Sequence, residues 1–434
     1  MRLLLIAVAT VGALSTFANG HAQTTPTQQL TPHLPKDISV TEPVTLQSLQ
    51  HDFDVFSWQS FIALNWPANA DGLPDTSKTI GQQGNAVVWQ HYKESRDIFL
   101  ANGAKPPGWK EHNPPPTQCD APNNALVLSQ VGKTPNVLDE SGEPFQTGPL
   151  IDQNGQYTRF EILTNKMMFD YIVDNELYNQ QGQHKFKGDA DFPSTDNSKD
   201  KDGAIMIKAA WKVMGPGDDR SRFYTVDAYV YNNPDENQGV QAACQLQRVG
   251  LVGLVGFHIA TKVEGNPQWI WSTFEHINNA PTQGQPATKQ SYNYYRPNCD
   301  DCTAVNTPPP RPWDPSTPHT QPSQVERVIA IDEATNKLNQ KYHAQLKHAF
   351  AESVWVNYEL VSTQWPTDAK SKTDPTGVPA PSFLANTTLE TYIQGEVKQT
   401  SSSCIGCHNN AAMTNGRFAD FTYLLQRAQA KGEK

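Results

Sequence analysis

The chain has 434 residues with a net charge of -10, and 9% of the residues are aromatic. The acidic balance excludes a nucleic-acid binder, whose phosphates demand a basic face, and disfavours docking on anionic membranes. The aromatic content excludes a disordered chain, and the length suffices for two domains or one large one.

In chain order, Met1-Arg2, an apolar run to Leu14 and the small and polar residues through Ala22 read as a secretory signal peptide over 1-22. Cleavage is expected after Ala22 or after Gly20. No later stretch reaches the ~20 apolar residues of a transmembrane helix. Residues 23-50 are rich in Pro, Thr and Gln and predict an extended N-terminal arm. An α+β body is expected over 51-380. Val55, Trp58, Phe61, Ile62 and Trp66 recur at helical spacing and stop at Pro67. A second helix is expected over Val87 to Leu100, before the loops that Pro106-Pro107-Gly108 and Pro114-Pro115-Pro116 enforce.

Strand signals follow. Asn124 to Val131 is a short apolar run, and Asn154-Gly155 predicts a hairpin turn between strand-like flanks. Arg159 to Leu163 continues the second arm, and Met167 to Tyr178 reads as helix. The densest β region comprises Ala204 to Val213, Phe223 to Tyr231, Arg248 to Val263 and Gln268 to His276. These runs predict a mostly antiparallel sheet. Within it Gly250, Gly253 and Gly256 mark places where something bulky lies against the backbone, a packed aromatic before a porphyrin. Residues 281 to 322 predict a stapled surface loop. Ser323 is expected to cap a helix from Gln324 to Phe350, followed by a strand over Val354 to Val361. A last helix is expected over Phe418 to Ala430.

The informative motif is Ser403-Cys404-Ile405-Gly406-Cys407-His408. Two thiols three residues apart and an adjacent histidine form the pattern that captures haem c: two thioethers to one porphyrin and an imidazole on its iron. A thioredoxin-like pair would want a βαβ context and zinc a second ligand pair, and neither surrounds residue 404. One covalent haem per chain is therefore expected, with Cys404 and Cys407 attaching it, His408 as proximal ligand and 381-434 as the haem-binding segment. With the signal peptide, the motif predicts a periplasmic protein. Cys119, Cys244, Cys299 and Cys302 remain; in an oxidising compartment they predict two disulfides, a four-thiolate zinc site being the alternative.

Only 26 residues follow His408. Met413 is too close in sequence to cross the ring, so a sixth ligand must come from upstream. His258 and His276 are the candidates, ahead of His343, His348, Met206 and Met214. Electron transfer with a redox partner protein or a small-molecule donor or acceptor is the default function, and the acidic balance suits a basic partner. The alternatives are a haem enzyme or a binder of oxygen, peroxide or nitric oxide, with Glu275, Lys208 or Lys262 as distal acid or base, and a binding module whose haem passes electrons onward.

Several segments together resemble one family: Phe56-Ser57-Trp58-Gln59-Ser60-Phe61, Asp152-Gln153-Asn154-Gly155, Lys208-Ala209-Ala210-Trp211, Trp269-Ile270-Trp271-Ser272-Thr273-Phe274-Glu275-His276, Pro297-Asn298-Cys299, Thr363-Gln364-Trp365-Pro366 and Asn386-Thr387-Thr388-Leu389-Glu390-Thr391. It is a poorly characterised family of large exported bacterial cytochrome c-like proteins with a single C-terminal haem motif. The resemblance implies a monohaem protein and no defined reaction. The late motif is also similar in placement to cytochrome c′ and the P460-type cytochromes, whose iron is five-coordinate; those chains are far shorter, and this sequence shows no four-helix pattern.

Overall fold

A computed structural model describes residues 30-82, 86-113, 125-128, 149-230, 247-288, 292-308, 321-368, 379-395 and 402-432. The signal peptide and residues 23-29 of the predicted arm lie outside these residues, as do Cys119 and Cys244; of the rest of the arm, 30-45 form no helix or strand, and 46-50 are already helical. The class is α+β. Among the described residues nine strands form the sheet: β1 (Lys93–Glu94), β2 (Val127–Leu128), β3 (Arg159–Thr164), β4 (Ile205–Val213), β5 (Thr225–Val230), β6 (Gln247–Thr261), β7 (Ile270–His276), β8 (Tyr358–Pro366) and β9 (Pro379–Ala380). The spatial order is β1-β3-β4-β6-β7-β8-β9, with β5 pairing the first half of β6 and β2 pairing β5. Every pairing is antiparallel except β2 with β5. The helices are α1 (Leu46–Leu64), α2 (Lys166–Asp174), α3 (Gln180–Lys185), α4 (Glu333–Ala349) and α5 (Cys404–His408). No helix among the described residues is long and apolar enough to cross a membrane.

Side chains alternate between the two faces of a strand, so the sheet presents two differently covered surfaces. On one, Ile207, Ala209, Trp211, Phe257, Ile259, Phe274 and Leu360 pack under α1 and α4. Trp58 of α1 is fully buried there, stacks on Tyr342 of α4 at 4.9 Å and donates Nε1–H to Asn339 at 2.9 Å. The opposite face carries Ala260 and Trp271, which share a core with α2 and with Ile405, Met413, Phe421 and Leu424 of the tail.

Several expected elements are shaped differently, for tertiary reasons. Helix α1 starts at Leu46 rather than Asp54, because Thr45 and Ser48 cap it reciprocally. Residues 87-100 form short turns around β1, whose Lys93 and Glu94 pair with Thr164 and Leu163. The Asn154-Gly155 turn is present with Gly155 at φ 73°, but its arms share a single bridge, Ile151 with Tyr157. The helix assigned to 324-350 begins only at Glu333, capped by Asp332. Val325 lies outside any helix and donates its backbone N–H to Tyr294 O at 2.8 Å, and Arg327 bridges to Thr282, so pairing with a distant segment overrides the helical spacing of that stretch. Residues 418-430 hold a turn at Asp420 and Phe421 and a short 3-10 helix, Tyr423–Arg427, in place of the closing helix.

Two strand glycines have identifiable reasons. A Cβ on Gly253 would meet Met214 and the Phe223 ring, the expected packed aromatic. A Cβ on Gly256 would lie 2.2 Å from Thr388 Oγ1, so here a threonine of the segment before the tail presses on the strand.

Candidate functional site

The five residues of α5 carry both tail thiols and His408. At 3.6 residues per turn, positions 404, 407 and 408 fall on one side of a helix, while Ile405 points elsewhere. Ile405 is indeed buried in the core shared with α2. Ser403 caps the helix, accepting from Gly406 N–H at 3.1 Å. Gln364 of β8 anchors the same end, its Oε1 accepting from Ile405 N–H at 2.8 Å and from the Ser403 hydroxyl at 3.2 Å.

His408 Nδ1 lies 2.7 Å from the Phe421 carbonyl oxygen. A carbonyl only accepts, so Nδ1 carries the proton and the neutral ring has its lone pair on Nε2. The ring also packs at 4.5 Å from Trp271 of β7 and 5.4 Å from Tyr423, whose hydroxyl donates to Cys407 O at 2.8 Å. The carbonyl that fixes the imidazole comes from a strained turn. Asp420 and Phe421 are both left-handed, at φ 49° and 59°. Such a conformation costs about 1–2 kcal/mol per non-glycine residue and persists where surrounding contacts over-determine it.

Trp271 places α5 on the sheet. In the register, Met206, Ala260 and Trp271 form one rung, and Ile162, Lys208, His258 and Thr273 the next, all on the tail-covered face. Adjacent same-face residues on a strand are about 7 Å apart, so His258 is one step from the rung that touches His408. Ile162, Met206, Lys208 and His258 are only half-buried on a sheet whose neighbouring residues are almost all buried. Ile162, Met206 and Cys404 rim the apolar core shared by α2 and the tail.

These residues fit a covalently bound haem. The donor set is two thiols and a histidine on one side of a helix, with a tautomer that presents Nε2. A carbonyl bonded to the second ring nitrogen is the usual partner that orients a metal-ligating histidine and raises its basicity. The incompletely covered, mainly apolar sheet face beside Cys404 supplies low-dielectric surroundings.

The other predicted residues separate clearly. His258 Nε2 lies 3.1 Å from Glu390 and 3.4 Å from Thr273 Oγ1, so its own ligating nitrogen would be Nδ1. His276 is not brought to the site. It is fully buried, its Nε2 bonds Arg222 O at 3.0 Å, its Nδ1 accepts from Asn278 N–H at 3.1 Å, and its ring stacks on Phe223 at 4.0 Å. With both nitrogens bonded, it is a core histidine. His343 donates to Tyr358 O at 2.6 Å, and burial lowers its pKa; His348 is exposed. Met214 fills a separate core, Met413 is buried in the tail, and Met206 Sδ accepts from the Thr422 hydroxyl at 3.6 Å.

Glu275 and Lys262 are committed elsewhere. Glu275 is buried between Arg327 and the Thr387 hydroxyl, and Arg327 also reaches Glu359 at 3.0 Å. Lys262 is buried against Asp420 at 2.6 Å and Asp191 at 3.0 Å. Lys208 lies 5.0 Å above the Phe160 ring. Cys299 and Cys302 are bonded to each other, which removes the zinc alternative at that pair. Sequence reasoning missed Gln364, Phe421 and Asp420 as partners of the motif; only the contact map of the folded chain joins them to it.

No family model, curated protein or solved structure matches this chain.

Proposed function

We propose that this protein is an exported, periplasmic c-type cytochrome that carries one covalent haem c and transfers single electrons. The observation that carries the reading is the composition of one short helix: Cys404, Cys407 and His408 share a side, and His408 Nδ1 is held by the Phe421 carbonyl. When bound, haem supplies a reversible ferric–ferrous couple. The chain's own work is to anchor the ring through Cys404 and Cys407, to fix the His408 tautomer and to pack apolar surface around the site. Partly buried His258, on the same sheet face, is the upstream histidine that would be available to a haem held there.

Electron transfer is favoured over distal acid–base chemistry because Glu275 and Lys262 are in buried ion pairs rather than poised at an open position. The net charge of -10 suits a basic redox partner, whose encounter would be steered electrostatically and weakened by salt.

The test is expression in a host that attaches haem to exported proteins. Wild type is expected to gain the mass of one haem and show a c-type reduced spectrum; Cys404→Ser with Cys407→Ser should abolish both. A low-spin spectrum that resists carbon monoxide and becomes high-spin in His258→Ala would identify His258 as sixth ligand. A colourless, unmodified product overturns the reading. Ready carbon monoxide binding by wild type would move it to the ligand-binding alternative.

A further inference from the structure

We infer that Lys262 and Asp420 form a positioning lock that aims the Phe421 carbonyl at His408 and thereby tunes the haem iron. This rests on the haem reading above for its effect on iron, but not for its effect on His408 itself.

The turn that presents the Phe421 carbonyl is strained. Two consecutive left-handed non-glycine residues, Asp420 and Phe421, do not persist without restraint, and Phe421 is the more unusual because its side chain is bulky. The restraint falls on Asp420 from three directions. Lys262, immediately after β6, binds its carboxylate at 2.6 Å. The backbone N–H of Phe192 donates to the same carboxylate oxygen at 2.7 Å. Trp269 Nε1–H donates to the Asp420 carbonyl at 2.8 Å. The next carbonyl in the chain is the one His408 binds. The sheet thus reaches the imidazole through one residue that it grips at both side chain and main chain.

The ion pair is hard to explain as a stabiliser. Lys262 and Asp420 are 1% and 0% exposed. Taking two charges out of water costs about as much as their attraction returns, and apolar replacements often do as well. Such pairs are better at fixing a register, and the register here is that of a carbonyl facing a metal-ligating histidine. Both residues are positioning residues, acting through Phe421.

A bonded Nδ1–H makes the imidazole a stronger donor at Nε2, which favours ferric iron and lowers the reduction potential. Loosening the lock should raise it. The experiment uses the full chain, matured with haem, as wild type, Lys262→Met, Asp420→Gly and Lys262→Arg. Asp420→Gly keeps the left-handed backbone accessible and leaves Lys262 with Asp191, so it does not strand a buried charge. Lys262→Met and Asp420→Gly should each keep one haem per chain and shift the potential upward. Lys262→Arg should stay near wild type, and the double variant should shift no further than the larger single one. In haem-free protein with nitrogen-15-labelled histidine, His408 should favour the Nδ1–H tautomer by roughly tenfold in wild type and lose that preference in both loosened variants.

Haem-loaded variants with an unchanged potential and an unchanged His408 tautomer overturn the lock. Additive shifts in the double variant overturn it too, because the two residues would then act separately. If no chain takes up haem, the preceding reading fails, while the tautomer measurement still decides the lock.

Discussion

Glu161 on β3 gives the sharpest quantitative test of the fold. It lies on the sheet face covered by α1, away from the tail, and Trp211 donates Nε1–H to its carboxylate at 2.8 Å. Burial first, and then the neighbouring Glu94, push its pKa from the ordinary 4.5 up to about 8. Between those two pH values the folded chain holds a proton that the unfolded chain has released, so stability falls as pH rises. The contribution is complete below 4.5 and lost as pH passes through about 8. At about 1.36 kcal/mol per pH unit, the span corresponds to roughly 5 kcal/mol. Asp54, Asp152 and Asp420, each raised to about 6 chiefly by burial, push in the same direction, so the readout must be a difference between two chains. Glu161→Gln copies the neutral acid in shape and keeps an acceptor for Trp211. Urea unfolding followed by tryptophan fluorescence should find the two proteins within about 1 kcal/mol at pH ~5 and the variant ahead by up to about 5 kcal/mol at pH ~9. A stability difference that stays constant across that range would show that Glu161 is not carried into the core as an acid.

Three further outcomes follow from packing and charge. Gly256→Ala should cost about 1–3 kcal/mol and raise hydrogen exchange over Asn386–Thr388, because its Cβ would strike Thr388 Oγ1; unchanged exchange there would contradict the contact. Arg327→Met strands Glu275 in the core and should cost about 3–5 kcal/mol in urea unfolding, with much of the loss recovered when Glu275→Gln is added. Trp58→Ala removes the side chain stacked on Tyr342 and should cost about 3–5 kcal/mol; a midpoint shift equivalent to less than about 1 kcal/mol would refute its central place in the core.

What the sequence revealed follows a physical divide. The strands β4, β5, β6 and β7 were legible because β-branched and aromatic runs bounded by Gly, Pro and Asn are a local property of the chain. The motif Cys404–His408 stands out in the sequence because it is defined by spacing alone. Elements failed where distant residues competed with local pattern. Ser323 and Asp332 are both good helix caps, and only the pairing of Val325 with Tyr294 and the bridge from Arg327 to Thr282 reveal that the first is unused. Residues 418-430 have apolar spacing that suits a helix, but the grip of Lys262 and Trp269 on Asp420 turns the chain there. For the same reason the sequence offers Glu275 and Lys262 only as candidate acid–base groups, since the partners that hold them lie 52 and 158 residues away. Nor could any periodicity distinguish His276, bonded at both nitrogens, from His258 on the tail-covered face.

On the proposed reading the chain is larger than moving one electron requires, and the way α5 is held explains that size. A five-residue helix cannot bury a core of its own, and its stability must come from packing. Here the body supplies that packing: Ile405 and Phe421 share a core with Phe169, Ile172, Ala204 and Trp269. The body also supplies the polar restraints, through Gln364 at the start of α5, Lys262 and Trp269 at the Asp420 turn, and Gln183 Nε2, which donates to Leu425 O at 2.8 Å. These restraints come from β8, the end of β6, the approach to β7 and α3, elements that only the assembled sheet and its helices bring together. The geometry of His408 is therefore a property of the whole fold rather than of the last fifty residues. A tail cut free of the sheet would keep its thiols and lose the aim of its imidazole.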